Sequence, residues 1–253
     1  MTAEGSRPLE LLGRVAEAAG ERGVAVNALG GVGVSLRAGP LPAGLQREHG
    51  DLDVVIRRAE RHGAEEALAA AGLVPDEMFN RRNGHQRQIW WTADGEQHVD
   101  VFLGQFRMCH ELDLDARVDA GHRALPASDL LLTKLQIVEI NAKDVRDAAA
   151  LLSRVEIGDE DEPGAISLRR LSDVLGADWG FYTTFADNLE RLPAEVADIA
   201  PDAAPAVSES AGTIAAAIEG APKSRGWRMR ARVGRRKRWY ALPDESLDEP
   251  RPA

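Results

Sequence analysis

The 253-residue chain is 44% hydrophobic, 28% charged and 5% aromatic, as expected of a soluble globular protein of one large or two small domains. Its one cysteine, Cys109, excludes an intramolecular disulfide and a cysteine-built zinc or iron–sulfur centre, and points to a reducing, cytoplasmic setting. The formal net charge is −10, yet residues 223–240 hold nine basic side chains and no acidic one, which leaves −19 on the remainder. An acidic body argues against broad non-specific nucleic-acid binding but leaves room for a local basic groove.

Neither a signal peptide nor a membrane partner is expected. The first thirty residues carry Glu4, Glu10, Glu17 and Glu21, and the longest apolar stretch, 130–140, is broken by Lys134 and Glu139. Leu9, Leu11, Leu12 and Val15 recur at helical spacing and predict a first helix that Gly20 and Gly23 end. The run 24–29 predicts a strand, Gly30-Gly31 a turn, and the residues after it a helix. The stretch 47–56, β-branched after a turn signal, predicts a second strand that carries both Asp51 and Asp53 on one face and Leu52 and Val54 toward the core. A helix follows over 59–71, then a polar stretch, then a strand over 87–92 in which Trp90 and Trp91 alternate sides. The turn 93–96 returns the chain along 97–103, which carries Asp100 between Val99 and Val101. A strand over 108–114, a helix opened by Pro126 and a helix capped by Asn141 complete this part.

The acidic, proline-broken stretch 158–164 is the boundary candidate, dividing the chain into 1–157 and 164–253. Beyond it the pattern is helical until Trp227 to Val233, whose strict alternation predicts a strand or hairpin with Arg228, Arg230 and Arg232 on one face. The expected fold class is therefore α/β, in the α+β sense. It has a small mixed sheet with flanking helices, followed by a mainly helical C-terminal region with a basic strand.

Three aspartates on strands otherwise built for burial repel one another unless a positive charge offsets them. Magnesium or manganese does this with carboxylate oxygens, while substrate phosphates complete the shell. The alternative for Asp51 and Asp53 is a turn residue and a solvent-facing one. Gly30 and Gly31 at a strand end allow backbone amides to approach a phosphate, with Ser35 as a further donor; the alternative is a tight turn. Lys134 reaches nucleotide phosphates or lies along the surface, and Arg47 touches a triphosphate or pairs with Glu48. Lys143, Asp144 and Asp147 read best as an intrahelical ion-pair set. His49 and His98 flank the aspartates, either to polarise a proton path or as structural residues. The arginines of the basic arm either hold a polyanionic acceptor or dock on the acidic body.

The order helix, Gly-Gly, Asp-x-Asp, then a later strand with a single Asp resembles the nucleotidyltransferase superfamily typified by DNA polymerase beta, over residues 24 to 150. The resemblance implies that Gly30 and Gly31 form the phosphate turn, that Asp51 and Asp53 bind metal, and that Asp100 is the third carboxylate, helping to deprotonate an acceptor hydroxyl. The stretch Arg47-Glu48-His49-Gly50-Asp51-Leu52-Asp53 is similar to small antibiotic nucleotidyltransferases, and the long spacer from Gly31 to Asp51 suits that branch. Lys143-Asp144-x-x-Asp147 is similar to the toxin branch, and the whole chain, with Asp129 to Gln136, to an actinobacterial group of the superfamily. The expected activity is metal-dependent transfer of a nucleoside monophosphate from a nucleoside triphosphate to a hydroxyl or phosphate acceptor, releasing pyrophosphate. Catalysis and metal binding fall to Asp51, Asp53 and Asp100, and nucleotide binding to Gly30, Gly31, Ser35, Arg47 and Lys134. The acceptor is a small molecule or RNA. A non-catalytic nucleotide-binding module is the alternative.

Overall fold

The computed structural model describes residues 3–242. In chain order it runs α1 (Ala3–Gly20), β1 (Asn27–Ala28), α2 (Gly30–Ala38), β2 (Leu52–Ile56), α3 (Arg61–Ala70), β3 (Leu73–Pro75), α4 (Glu77–Asn83), β4 (Arg87–Thr92) and β5 (His98–Leu103). It continues with β6 (Gln105–Arg107), β7 (Glu111–Asp113), α5 (Ala127–Leu135), α6 (Ala142–Arg154), β8 (Ile157–Gly158) and β9 (Ile166–Ser167). Four helices follow: α7 (Leu168–Ala177), α8 (Trp179–Ile199), α9 (Ala204–Gly220) and α10 (Arg225–Val233). The main sheet has the order β1-β2-β5-β4-β3, with β2 and β5 parallel and the other neighbours antiparallel.

Period-two geometry divides the central strands between two cores. Leu52, Val54 and Ile56 of β2 and Val99, Val101 and Leu103 of β5 join one apolar cluster with α1 and α3. The alternate residues Val55 and Phe102 belong to the second cluster, with α2, α5 and α6. Asp53 and Asp100 share that second parity and are Cα partners in the parallel register, so they lie side by side on one face of the sheet.

The second cluster continues from Leu130, Leu131 and Ala148 into Leu171, Phe181, Phe185 and Ile214. The acidic loop 158–164 therefore joins two parts that share an apolar core. Across it Ile157 pairs with Ile166, and Arg117 forks onto Asp161 at 2.7 and 2.8 Å while its Nε reaches the buried Asp129 at 2.6 Å. Asn141 caps α6 as its sequence context predicts, its side chain accepting from the amides of Lys143 and Asp144.

Four local expectations need correction. Strand 24–29 shrinks to β1. The polar stretch after α3 contains β3 and a short helix, α4, whose cap Asp76 accepts from the Phe79 amide. The strand expected over 108–114 begins only at Glu111, because residues 108–110 turn the chain between β6 and β7.

The basic strand or hairpin is instead the helix α10. A strand must find ladder partners for its backbone groups, whereas this segment carries its own helix signals. The Ser224 hydroxyl accepts from the Trp227 amide, and Gly234 stops the helix at φ +60°. Helical wrapping turns Trp227 and Arg230 toward α8 and leaves Arg228 and Arg232 exposed. Among the described residues, no helix is long and apolar enough to cross a membrane.

Candidate active site

β2 brings Asp53 beneath the start of α2, where Gly30 takes φ +61°. A Cβ on Gly30 would land on the Asp53 carboxylate, so this position requires glycine both for its backbone conformation and for the space above the acid. Leu29 supplies no side-chain cap to α2, and the first amides of the helix have no partners within it. Leu29 and Gly30 line a cavity of about 390 Å³ that also receives Asp51, Asp53, Asp100 and Lys134. The expected cavity residues Gly30, Asp51, Asp53, Asp100 and Lys134 thus converge.

The three carboxylates differ in their surroundings. Asp51 stands exposed at the rim. Burial, followed by the charges of Asp100 and Asp51, pushes the Asp53 carboxyl up to about 7, against the opposing pull of Lys134 and Arg87. Asp100 is 4% exposed, and Arg87 grips it with two bonds of 2.7 Å. The Arg87 guanidinium also lies over Phe102, 5.2 Å from the ring centroid. His98 is 3.8 Å from Asp100 and packs on Trp91 at 4.9 Å between centroids. Arg87 received no role from the sequence. The signal lay in the hairpin register: Arg87, Ile89 and Trp91 pair with Phe102, Asp100 and His98, on the same face.

Gly31, Ser35 and Arg47 stand behind the cavity wall. A Cβ on Gly31 would meet the Arg47 guanidinium and the His49 ring, so this glycine makes room for side chains. Ser35 Oγ bonds His49 Nε2 at 2.9 Å. Burial, followed by Arg47, lowers the His49 pKa, which favours its neutral ring. Arg47 forks onto Asp147 at 2.8 and 2.7 Å, and Lys134 Nζ lies 2.9 Å from both Asp144 and Asp147. Burial alone would lower the Lys134 pKa; the two carboxylates reverse this and raise it. The intrahelical reading of Asp144 and Asp147 is thereby corrected. Their partners are Lys134 and Arg47, so the two acids tie α6 to α5 and to the loop entering β2.

Among the described residues, no three acidic, histidine or cysteine side chains are drawn together closely enough to hold a metal ion. The donor chemistry at Asp51 and Asp53 nevertheless suits a hard divalent cation, since both offer carboxylate oxygens to the cavity. A positive charge there would offset the repulsion that raises Asp53. Each Asp100 oxygen accepts one bond from Arg87.

No family model matches the chain, and no curated protein matches it. Among solved structures it is similar to the antibiotic-resistance factor ANT(2'')-Ia, with 13% identity, 58% of this chain and 83% of that chain covered, and a TM-score of 0.41. It is also similar to JHP933 from Helicobacter pylori, with 9% identity, 94% of this chain and 100% of that chain covered, and a TM-score of 0.42.

Proposed function

We propose that the chain is a nucleotidyltransferase that moves a nucleoside monophosphate from a nucleoside triphosphate to an acceptor hydroxyl or phosphate. The observation that carries this reading is the in-register pair Asp53 and Asp100, set in a cavity onto which the N-terminus of α2 opens. Of the division into 1–157 and 164–253, the first part is the catalytic one, and the described residues of the second form helices that share its core.

The amide of Gly30, at the N-terminus of α2 on the cavity wall, would receive phosphate oxygens, where the helix dipole favours negative charge, with Gly31 behind it making room for Arg47 and His49. Lys134 adds its charge from the opposite wall. Arg47 and Ser35 act at one remove: Arg47 holds α6 through Asp147, and Ser35 orients His49. Asp51 and Asp53 would hold magnesium or manganese, which supplies charge stabilisation of the transferring phosphoryl group. Asp100 orients the acceptor and takes its proton as the acceptor oxygen bonds to the α-phosphorus. The bond from that phosphorus to the β-phosphate bridging oxygen breaks, and pyrophosphate leaves with the electron pair. Catalysis on this scheme is chiefly positioning and charge stabilisation.

The Arg87–Asp100 pair favours one second reading, a nucleotide-binding module that does not transfer. Pyrophosphate release from each nucleoside triphosphate with magnesium, with RNA or a small-molecule extract as acceptor, separates the two. Release that is lost in Asp51→Ala and Asp53→Ala, with the fold intact, supports the transferase. Nucleotide binding without release under any combination supports the module, and release retained in both variants refutes the aspartate assignment.

A further inference from the structure

We propose that the basic arm, α10 together with residues 234–240, binds the phosphate backbone of a single-stranded nucleic acid and leads that strand to the aspartate cavity as the acceptor. The second half of this statement rests on the transferase reading; the first does not.

The arm is attached chiefly by aromatic contacts. Trp227 meets Tyr182 edge-on at 5.5 Å, Arg230 lies 4.7 Å over Trp179, and Trp239 Nε1 donates to the Thr184 hydroxyl at 3.1 Å. Its one ion pair to the body among the described residues is Arg235–Asp187, at 2.7 Å. The arm's eight cations stand beside a remainder of formal charge −18, and most of them point outward. Arg225, Arg228, Arg232, Arg236 and Lys237 are exposed and make no ion pair among the described residues. Docking on the acidic body does not account for them. A polyanion with regularly spaced charges does.

Position ties this surface to the site. A cavity of about 480 Å³ lies between the arm and the β6–β7 hairpin, with Arg107, Arg238, Trp227 and Trp239 in its walls. Met108, in the turn of that hairpin, lines both this cavity and the aspartate cavity. The hairpin follows directly on β5, which carries Asp100. Among the described residues the Trp227 indole N–H is buried without a partner, and the Arg238 guanidinium lies over the Tyr240 ring at 4.8 Å. A guanidinium over a ring still has N–H groups to offer a phosphate. The walls of this space of nucleotide size also carry Glu111 and Asp178, but Arg107, Arg230 and Arg238 outnumber them beside the aromatic rings, a lining that suits an unpaired strand. A lipid surface fits less well, since α10 exposes only Met229 and Val233 as large apolar side chains, too little for an inserted apolar face.

The test is fluorescence anisotropy of a labelled uridine 20-mer with the full chain. It compares the wild type with the triple variant Arg228→Glu/Arg232→Glu/Arg236→Glu. The triple variant should bind at least tenfold more weakly, with a log–log salt slope shallower by about 2, at roughly 0.7 per lost phosphate contact. Equal affinity of wild type and triple variant overturns the surface, as does binding to phosphatidylserine vesicles but not to RNA. RNA-stimulated pyrophosphate release lost in the triple variant supports the acceptor role. RNA binding with nucleotide bound but no release would refute transfer and leave the surface standing. Release that proceeds equally in the triple variant would refute the surface as acceptor site and leave the transferase standing.

Discussion

The Asp53 carboxyl makes the site costly to the fold, and the cost has a pH signature. Its pKa stands at about 7 in the folded chain, against about 3.9 in an unfolded one. A carboxyl raised on folding is bound more tightly to its proton in the native state. The native state is therefore favoured below about pH 4, and that advantage disappears as the pH climbs toward 7. Three units at about 1.4 kcal/mol each set a ceiling near ~4 kcal/mol, and solvent at the cavity mouth brings this to about 2 kcal/mol. Asp53→Asn keeps the shape and removes the titration. Urea unfolding followed by tryptophan fluorescence at pH 5.5 and 8.5, without divalent ions, reads the difference, and the other carboxyls cancel between the two proteins. At pH 8.5 the variant should be the more stable by about 2 kcal/mol, with the gap narrowing at pH 5.5. Magnesium should close the gap by stabilising the wild type alone. Parallel pH profiles for the two proteins would refute the claim that burial, with the charges of Asp100 and Asp51, holds this acid's pKa up.

Three further outcomes follow from the walls of the cavity. Asp147→Asn removes the shared acceptor of Arg47 and Lys134, whose side chains are 17% and 11% exposed, and should cost about 3–5 kcal/mol in urea at pH 7. The folded Asp147 pKa is depressed, so its contribution is complete above about pH 4, and the same loss is expected at pH 6 and 8; a loss below about 1 kcal/mol would refute its anchoring role. Arg87→Gln should tighten manganese binding several-fold by calorimetry, because it releases Asp100, whereas unchanged affinity would show that Arg87 does not compete with the ion. Gly30→Ala should lose at least a hundredfold in pyrophosphate release and about 2 kcal/mol of stability, from a left-handed backbone and the overlap with Asp53; near-normal turnover would refute the close approach.

Much of this site was legible before its geometry. Alternation in Leu52 to Ile56 and Val99 to Leu103 assigns the faces, and the turn at 93–96 predicts the β4–β5 hairpin. Asn141 announces the start of α6. Two kinds of information were missing. Charge partners across elements, such as Arg47 with Asp147 and Lys134 with Asp144, depend on packing that sequence separation hides, so a local i,i+4 reading prevailed over the tertiary one. In the basic arm, a seven-residue alternation outweighed the caps Ser224 and Gly234, although a two-residue period over so short a run also fits a helix that buries one residue per turn.

The placement of the aspartates follows from parity and parallelism together. In the antiparallel β4–β5 hairpin, Asp100 stands opposite Ile89 and diagonal to Arg87, so a basic side chain reaches it from within the sheet. In the parallel β2–β5 pair it stands level with Asp53, so a like charge reaches it from the other side. β5 therefore holds one carboxylate between a cation that stabilises it and an anion that does not. That arrangement is balanced only while Arg87 remains, or while an ion takes its place. The same strand order keeps Val55 and Phe102 in the apolar cluster on the face that carries the acids, and the Arg87 guanidinium, bonded twice to Asp100 and lying over Phe102, closes that face.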